Sequence, residues 1–149
     1  IVKLLLQNNA DSNIRDIEGA SPIHYAAFFC NAYALKVLLD DQINKKIDIN
    51  AIDDSGYTPI HWAALSANKF FVQSLIEKGA SVESINIKNG KTPLHMSASN
   101  GRYETSEYLI ENGADVNAHD KNKLTPLDYA KKHGKNNELI ELIMNAKSQ

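Results

Sequence analysis

Residues 58–64 read TPIHWAA, and the same phrase returns as SPIHYAA at 21–27, TPLHMSA at 92–98 and TPLDYAK at 125–131. The chain has four prolines, Pro22, Pro59, Pro93 and Pro126, and each stands second in this phrase behind a hydroxyl residue. Their spacings are 37, 34 and 33 residues. A period in this range marks stacked units, none of which can bury its apolar face alone.

Local chemistry says what each unit is. A serine or threonine caps free backbone N–H groups, and proline suits the first helical position because its missing N–H is not needed there. A short first helix is therefore predicted over about 22–28, with equivalents starting at Pro59, Pro93 and Pro126. A second helix follows in each unit and ends on an apolar pair: Leu38-Leu39, Leu75-Ile76, Leu109-Ile110 and Leu142-Ile143. Gly79 and Gly113 follow two of these pairs and supply the left-handed residue that closes a helix. Gly19, Gly56 and Gly90 stand three residues before their prolines, in a tight turn, while Gly101 and Gly134 separate the helices of their units.

The recurring text, DDSGYTPIHWAA in one unit and NGADVNAHD at the end of another, is similar to the ankyrin repeat. The resemblance runs from Ile1 to about Asn145. It implies an all-α solenoid of stacked helix-turn-helix units joined by β-hairpin-like finger turns. The chain then reads as a single domain: a partial repeat at 1–15, repeats at 16–52, 53–86 and 87–119, and a C-terminal capping repeat at 120–149. In the partial repeat Asn9 takes the glycine position, as the next-best residue for a left-handed angle.

Departures from the pattern carry expectations of their own. Asp128, Lys131 and Lys123 replace the recurrent His, Ala and turn Gly in the last unit, as expected where water replaces a following repeat. The orphan helix with Ile1, Val2, Leu4, Leu5 and Leu6 predicts a further repeat or capping segment before it. Unit 16–52 is longer around 41–47 and should form an exposed loop there, because surface loops absorb insertions cheaply. Ile87 stands where other units have Asp, which should weaken one turn hydrogen bond.

Composition bounds the function. At 149 residues, with 43% hydrophobic and 23% charged residues, the chain is that of an ordinary globular protein. A net charge of −2 makes no global case for nucleic acid or anionic membrane. No apolar run approaches a membrane span. One cysteine, Cys30, excludes an internal disulfide framework and favours a reducing, cytoplasmic setting, with the nucleus as an alternative.

Five histidines raise the question of a metal. His24, His61 and His95 sit at the same place in successive units, so about 8–10 Å should separate them, the spacing of packed helices. Zinc needs every ligand within about 2.1 Å, and these residues read instead as structural histidines beside their cap residues. His119 and His133 read as surface. Cys30 near His24 lacks a third orienting residue and an oxyanion turn, so no nucleophile is assigned. The family resemblance puts Cys30 at the interhelical glycine position and implies a partly buried thiol. No catalytic residue, cofactor or metal site emerges, and no enzyme is expected.

The resemblance further implies that finger tips and first helices line a concave binding surface. Carried over by position, the tips are Arg15, Ile17, Glu18, Ile52, Asp54, Ser55, Tyr57, Asn86, Lys88, Asn89, Lys91, His119, Lys121, Asn122 and Lys123. The helix positions are Tyr25, Phe28, Phe29, Trp62, Leu65, Ser66, Met96, Ser99, Asn100, Tyr129, Lys132 and His133. The core of this set is Tyr25, Phe28, Phe29, Asp54, Tyr57, Trp62, Leu65, Lys88, Lys91, Lys121 and Lys123. Aromatics gather in the first two full repeats, and tips run from acidic to basic along the chain. A partner protein with an apolar anchor near Trp62 and acidic residues toward the carboxyl end fits this pattern. The opposing reading has Tyr25 and Trp62 packing between helices and the lysines merely solvated.

The expected state is a monomeric interaction scaffold without membrane or nucleic-acid partners. The alternatives are the recognition domain of a larger enzyme or signalling protein and, third, nucleic-acid binding by the basic tips. Asn50 and Asn117, in DIN and DVN, also resemble asparagines that are hydroxylated in such repeats.

Overall fold

The computed structural model describes residues 1–43, 47–134 and 136–147. Within them the elements are α1 (Val2–Gln7), α2 (Pro22–Phe28), α3 (Ala32–Leu38), α4 (Pro59–Leu65), α5 (Lys69–Glu77), α6 (Pro93–Ser99), α7 (Tyr103–Glu111), α8 (Pro126–His133) and α9 (Asn137–Lys147). The first helices α2, α4, α6 and α8 pack side by side in chain order, and the second helices form an outer layer against them. The described residues contain no strand, and the connections between units are hydrogen-bonded turns. The central insertion falls in part on residues 44–46, outside the described set.

Every first helix begins on its proline, as predicted, with Ser21, Thr58, Thr92 or Thr125 as N-cap. Asparagines open three of the second helices. Asn31, Asn68 and Asn136 accept the N–H groups of Ala34, Phe70 and Leu139 at 3.0, 3.0 and 3.1 Å. Where Asn9, Gly79 and Gly113 follow a second helix, the chain turns left-handed, with φ of 62°, 95° and 92°. The next N–H, of Ala10, Ala80 or Ala114, then reaches back to Leu5, Leu75 or Leu109, satisfying a terminal carbonyl.

The core runs continuously through the stack, from Ile23, Leu35 and Leu38 through Ile60, Phe71 and Leu75 to Leu94, Leu109, Leu139 and Ile143. In the last unit Ile143, not Leu142, is the fully buried member of the apolar pair. Asn136 caps α9 one place later than Asn31 or Asn68 caps its helix, so the apolar stripe moves by one residue. The pair also lies inside α9, which continues to Lys147. In the outer layer α5 packs on α7 and α7 on α9. Between α3 and α5 a cleft of about 280 Å³ opens, lined by Leu39, Phe70 and Lys78 among others.

His24, His61 and His95 are wholly buried and tie one unit to the next. In each, Nδ1 accepts the cap residue's backbone N–H at 3.1–3.2 Å and meets its hydroxyl at 2.9 Å. An acceptor at Nδ1 puts the proton on Nε2, which donates to the next unit's Tyr57, Lys91 or Leu124 carbonyl at 3.3, 3.0 and 3.0 Å. With both nitrogens engaged, these rings are scaffold. Burial holds all three pKa values below the ordinary 6.5, and that of His61 falls to about 4. Asp128 in the last unit keeps the inward half of this role, accepting the Thr125 N–H and hydroxyl at 2.8 and 2.7 Å.

Three expectations need correction. Cys30 is exposed, because its left-handed angle (φ 53°) at the interhelical turn carries the side chain outward. With His24 buried, the two make no pair. Asn86 is not a tip residue but fully buried. It also removes the weakness expected from Ile87: its Oδ1 accepts the Lys88 and Asn89 N–H groups at 2.8 and 3.0 Å, and its amide donates to Ser55 O of the preceding finger at 3.0 Å. The turn is one residue longer and starts one residue earlier, which accounts for the 34-residue spacing. His119 is exposed, while the side chain of His133 lies outside the described set.

Candidate functional site: the concave face

The face is built by finger turns stacked edge to edge beside the exposed side of the first helices. Each finger closes on itself through an acidic residue or its amide equivalent. Asp16 accepts the Glu18 and Ala20 N–H groups, Asp53 accepts that of Tyr57, and Asp120 accepts those of Asn122 and Leu124, all at 2.8–2.9 Å. Neighbouring fingers are sewn together by Asp54 N–H to Glu18 O and Lys121 N–H to Asn89 O, both 2.9 Å. That approach leaves no room for a side chain at Gly90: a Cβ there would lie 2.9 Å from the Lys121 nitrogen, and φ is +78°.

A second contact joins each finger to its own first helix. The Tyr25 hydroxyl donates to Asp16 Oδ2. The Trp62 indole N–H donates to Asp53 Oδ2 at 2.9 Å, and the Tyr129 hydroxyl to Asp120 Oδ2 at 2.7 Å. The donor always lies nine residues after the acid. In the remaining unit the same two positions hold Ile87 and Met96, so acceptor and donor are lost together. These bonds set the local electrostatics. The Tyr25 hydroxyl holds Asp16 below its ordinary pKa, and Asp16 in turn raises Tyr25. Burial and then Asp120 push Tyr129 up to about 12. Burial pushes Asp120 up, but the Leu124 N–H and its other donors outweigh it, and the net shift is downward.

Between the first two full repeats the rings converge. Trp62 meets Tyr25 at 5.5 Å and Phe28 at 5.6 Å, both edge-on, and Tyr25 stacks on Phe29 at 6.1 Å. Beside them lies a hollow of about 400 Å³ lined by Tyr25, Phe28, Phe29, Tyr57, Trp62, Leu65 and Met96, with Glu18, Asp53 and Ser55 at its polar edge. Phe28 and Phe29 remain 44% and 67% exposed. Trp62 is half-buried, so it serves the helix packing and the hollow at once.

Six of the eleven sequence-derived site residues, Tyr25, Phe28, Phe29, Tyr57, Trp62 and Leu65, thus line one hollow. Asp54 stands outside it, paired with Arg15 at 3.3 Å. The lysines do not form one free patch. Lys91 lies over the Tyr129 ring at 4.4 Å, and Lys121 donates to Ile87 O at 2.8 Å. Lys88 and Lys123 are exposed. Asp53 was missed among the candidate positions, although its nine-residue distance to Trp62, repeated at Asp16 and Asp120, is visible in the sequence.

No helix among the described residues is long and apolar enough to cross a membrane. No curated protein matches the chain. The family model for ankyrin repeats in three copies matches residues 1–86 and again 68–149. Repeats of this family generally mediate protein–protein interaction. Together with the recurring phrase, the proline register and the stacked helix pairs, this match shows that the chain belongs to the ankyrin-repeat family.

Proposed function

We propose that the chain is an interaction scaffold that holds a segment of a partner protein along its concave face and catalyses no reaction. The aromatic hollow beside Trp62 carries the reading. Large rings left open beside a concave, mostly apolar space are the composition of binding hot spots, where a side chain can be fully desolvated. A large side chain of the partner enters there against the rings, and the partner's acidic residues face Lys88 and Lys123 farther along. As part of a longer protein the same groove would act as its recognition domain.

The test is co-purification of the native partner with wild-type chain and with the double variant Phe28→Ala, Phe29→Ala. Both rings are exposed, so the variant should melt within about 2 °C of wild type, and partner recovery should fall at least about tenfold. Undiminished recovery by a folded double variant refutes this site.

A further inference from the structure

We infer that the anchor received by the hollow is a long basic side chain, lysine or arginine, of an extended peptide segment that also carries acidic residues about six positions away; this rests on the groove reading above. The argument begins with charge. Between residues 16–29 and 52–66, the fingers and first helices that build the hollow, the sequence contains no lysine or arginine. It does contain Asp16, Glu18, Asp53 and Asp54. The adjoining cation, Arg15, is committed to Asp54, Ile52 O and Gly19 O. Asp53 is buried, and among the described residues its carboxylate accepts only from the neutral donors Tyr57 N–H and Trp62 N–H. Glu18 lies on the rim, and among the described residues nothing forms a hydrogen bond or ion pair with its carboxylate.

A hollow with aromatic walls and uncompensated carboxylates at its edge suits one kind of side chain above others. The methylene stem of lysine or arginine packs on the rings, and the cationic head is attracted both by ring faces and by Glu18. A purely apolar anchor would fill the space and leave the negative field unanswered. An acidic one would be repelled.

Distance then fixes the rest of the motif. Counted from the Glu18 finger, the first free lysine, Lys88, stands two units along, and Lys123 stands three. Two repeats at about 10 Å each make about 20 Å, which about six extended residues span. Charge of opposite sign at the two ends gives the bound segment a defined direction.

Random dodecapeptides displayed on phage are selected on the whole chain, and synthetic copies of the winners are titrated against it. Emission of Trp62, the chain's single tryptophan, reports occupancy of the hollow. Winners should share a basic residue with acidic residues about six places away. Replacing that basic residue by norleucine should weaken Kd at least about tenfold, and Glu18→Gln should remove most of this difference between the two peptides. Winners with leucine or phenylalanine as anchor, weakened by Phe29→Ala but indifferent to Glu18→Gln, overturn the inference and leave the groove reading standing. Winners untouched by Phe29→Ala that leave Trp62 emission unchanged overturn both, as does a selection that yields none.

Discussion

Acid should loosen this solenoid before its carboxylates titrate, and His61 should be the main cause. In the folded chain the His61 Nδ1 accepts the Thr58 N–H, and its Nε2–H bridges to Lys91 O of the next unit. A proton on Nδ1 would turn that acceptor into a donor facing another donor in a buried site. The folded pKa is accordingly about 4 against an ordinary 6.5. Since the folded value is depressed, the unfolded chain binds the proton more readily. The histidine's contribution is complete above about pH 6.5 and is lost as pH falls toward about 4. At about 1.36 kcal/mol per unit, His61 alone accounts for about 3 kcal/mol, most of it gone by about pH 4.5. His24 and His95 add in the same direction. Asp16, Asp120 and Asp128 are held below 3.8, so their contributions disappear only at lower pH. The assay is urea unfolding followed by circular dichroism at several pH values between about 7.5 and 4.5, on wild type and His61→Gln. Glutamine cannot titrate. The variant should start about 1–2 kcal/mol less stable at neutral pH and lose about 2–3 kcal/mol less on acidification, so that the two curves cross between about pH 6 and pH 5 and the variant is the more stable at about pH 4.5. Parallel curves, or stability that rises as pH falls, would refute the assignment.

Other substitutions probe other joints of the stack. Thr105 is buried with its hydroxyl unpartnered, so Thr105→Val, nearly isosteric, should raise stability by about 1 kcal/mol in thermal or urea unfolding. Gly90→Ala should cost at least about 1 kcal/mol from its left-handed angle, and more as the Lys121 backbone is pushed away; a neutral result would show that this finger contact is slack. Asn86→Ala removes the side chain that closes one finger and bonds to Ser55 of the preceding one. It should lower stability by about 2–4 kcal/mol, read from the same unfolding curves.

Positions that had to repeat were legible in the sequence, and positions where one unit compensates for another were not. Proline and its hydroxyl partner impose a helix start wherever they occur, so the starts of α2, α4, α6 and α8 followed directly from Pro22, Pro59, Pro93 and Pro126. The left-handed residues after the second helices were equally local, down to Asn9. Ile87 was different. Judged by position it lacked the acid its turn needs, yet the chain met the need one residue earlier with Asn86, a shift that depends on the neighbouring finger offering Ser55 O. Burial of Asn86 and exposure of Cys30 likewise depend on backbone direction, which alignment by spacing does not carry. For the candidate site, ring types alone left Trp62 either a packing residue or a binding residue. The bond to Asp53 makes the two compatible: it holds the indole at the wall of the hollow and places a buried carboxylate behind it. One pair of residues thereby serves both the finger's attachment and the negative field of the groove. Phe28, Phe29 and Glu18, which carry no such structural duty, are therefore the positions at which binding can be altered without loosening the stack.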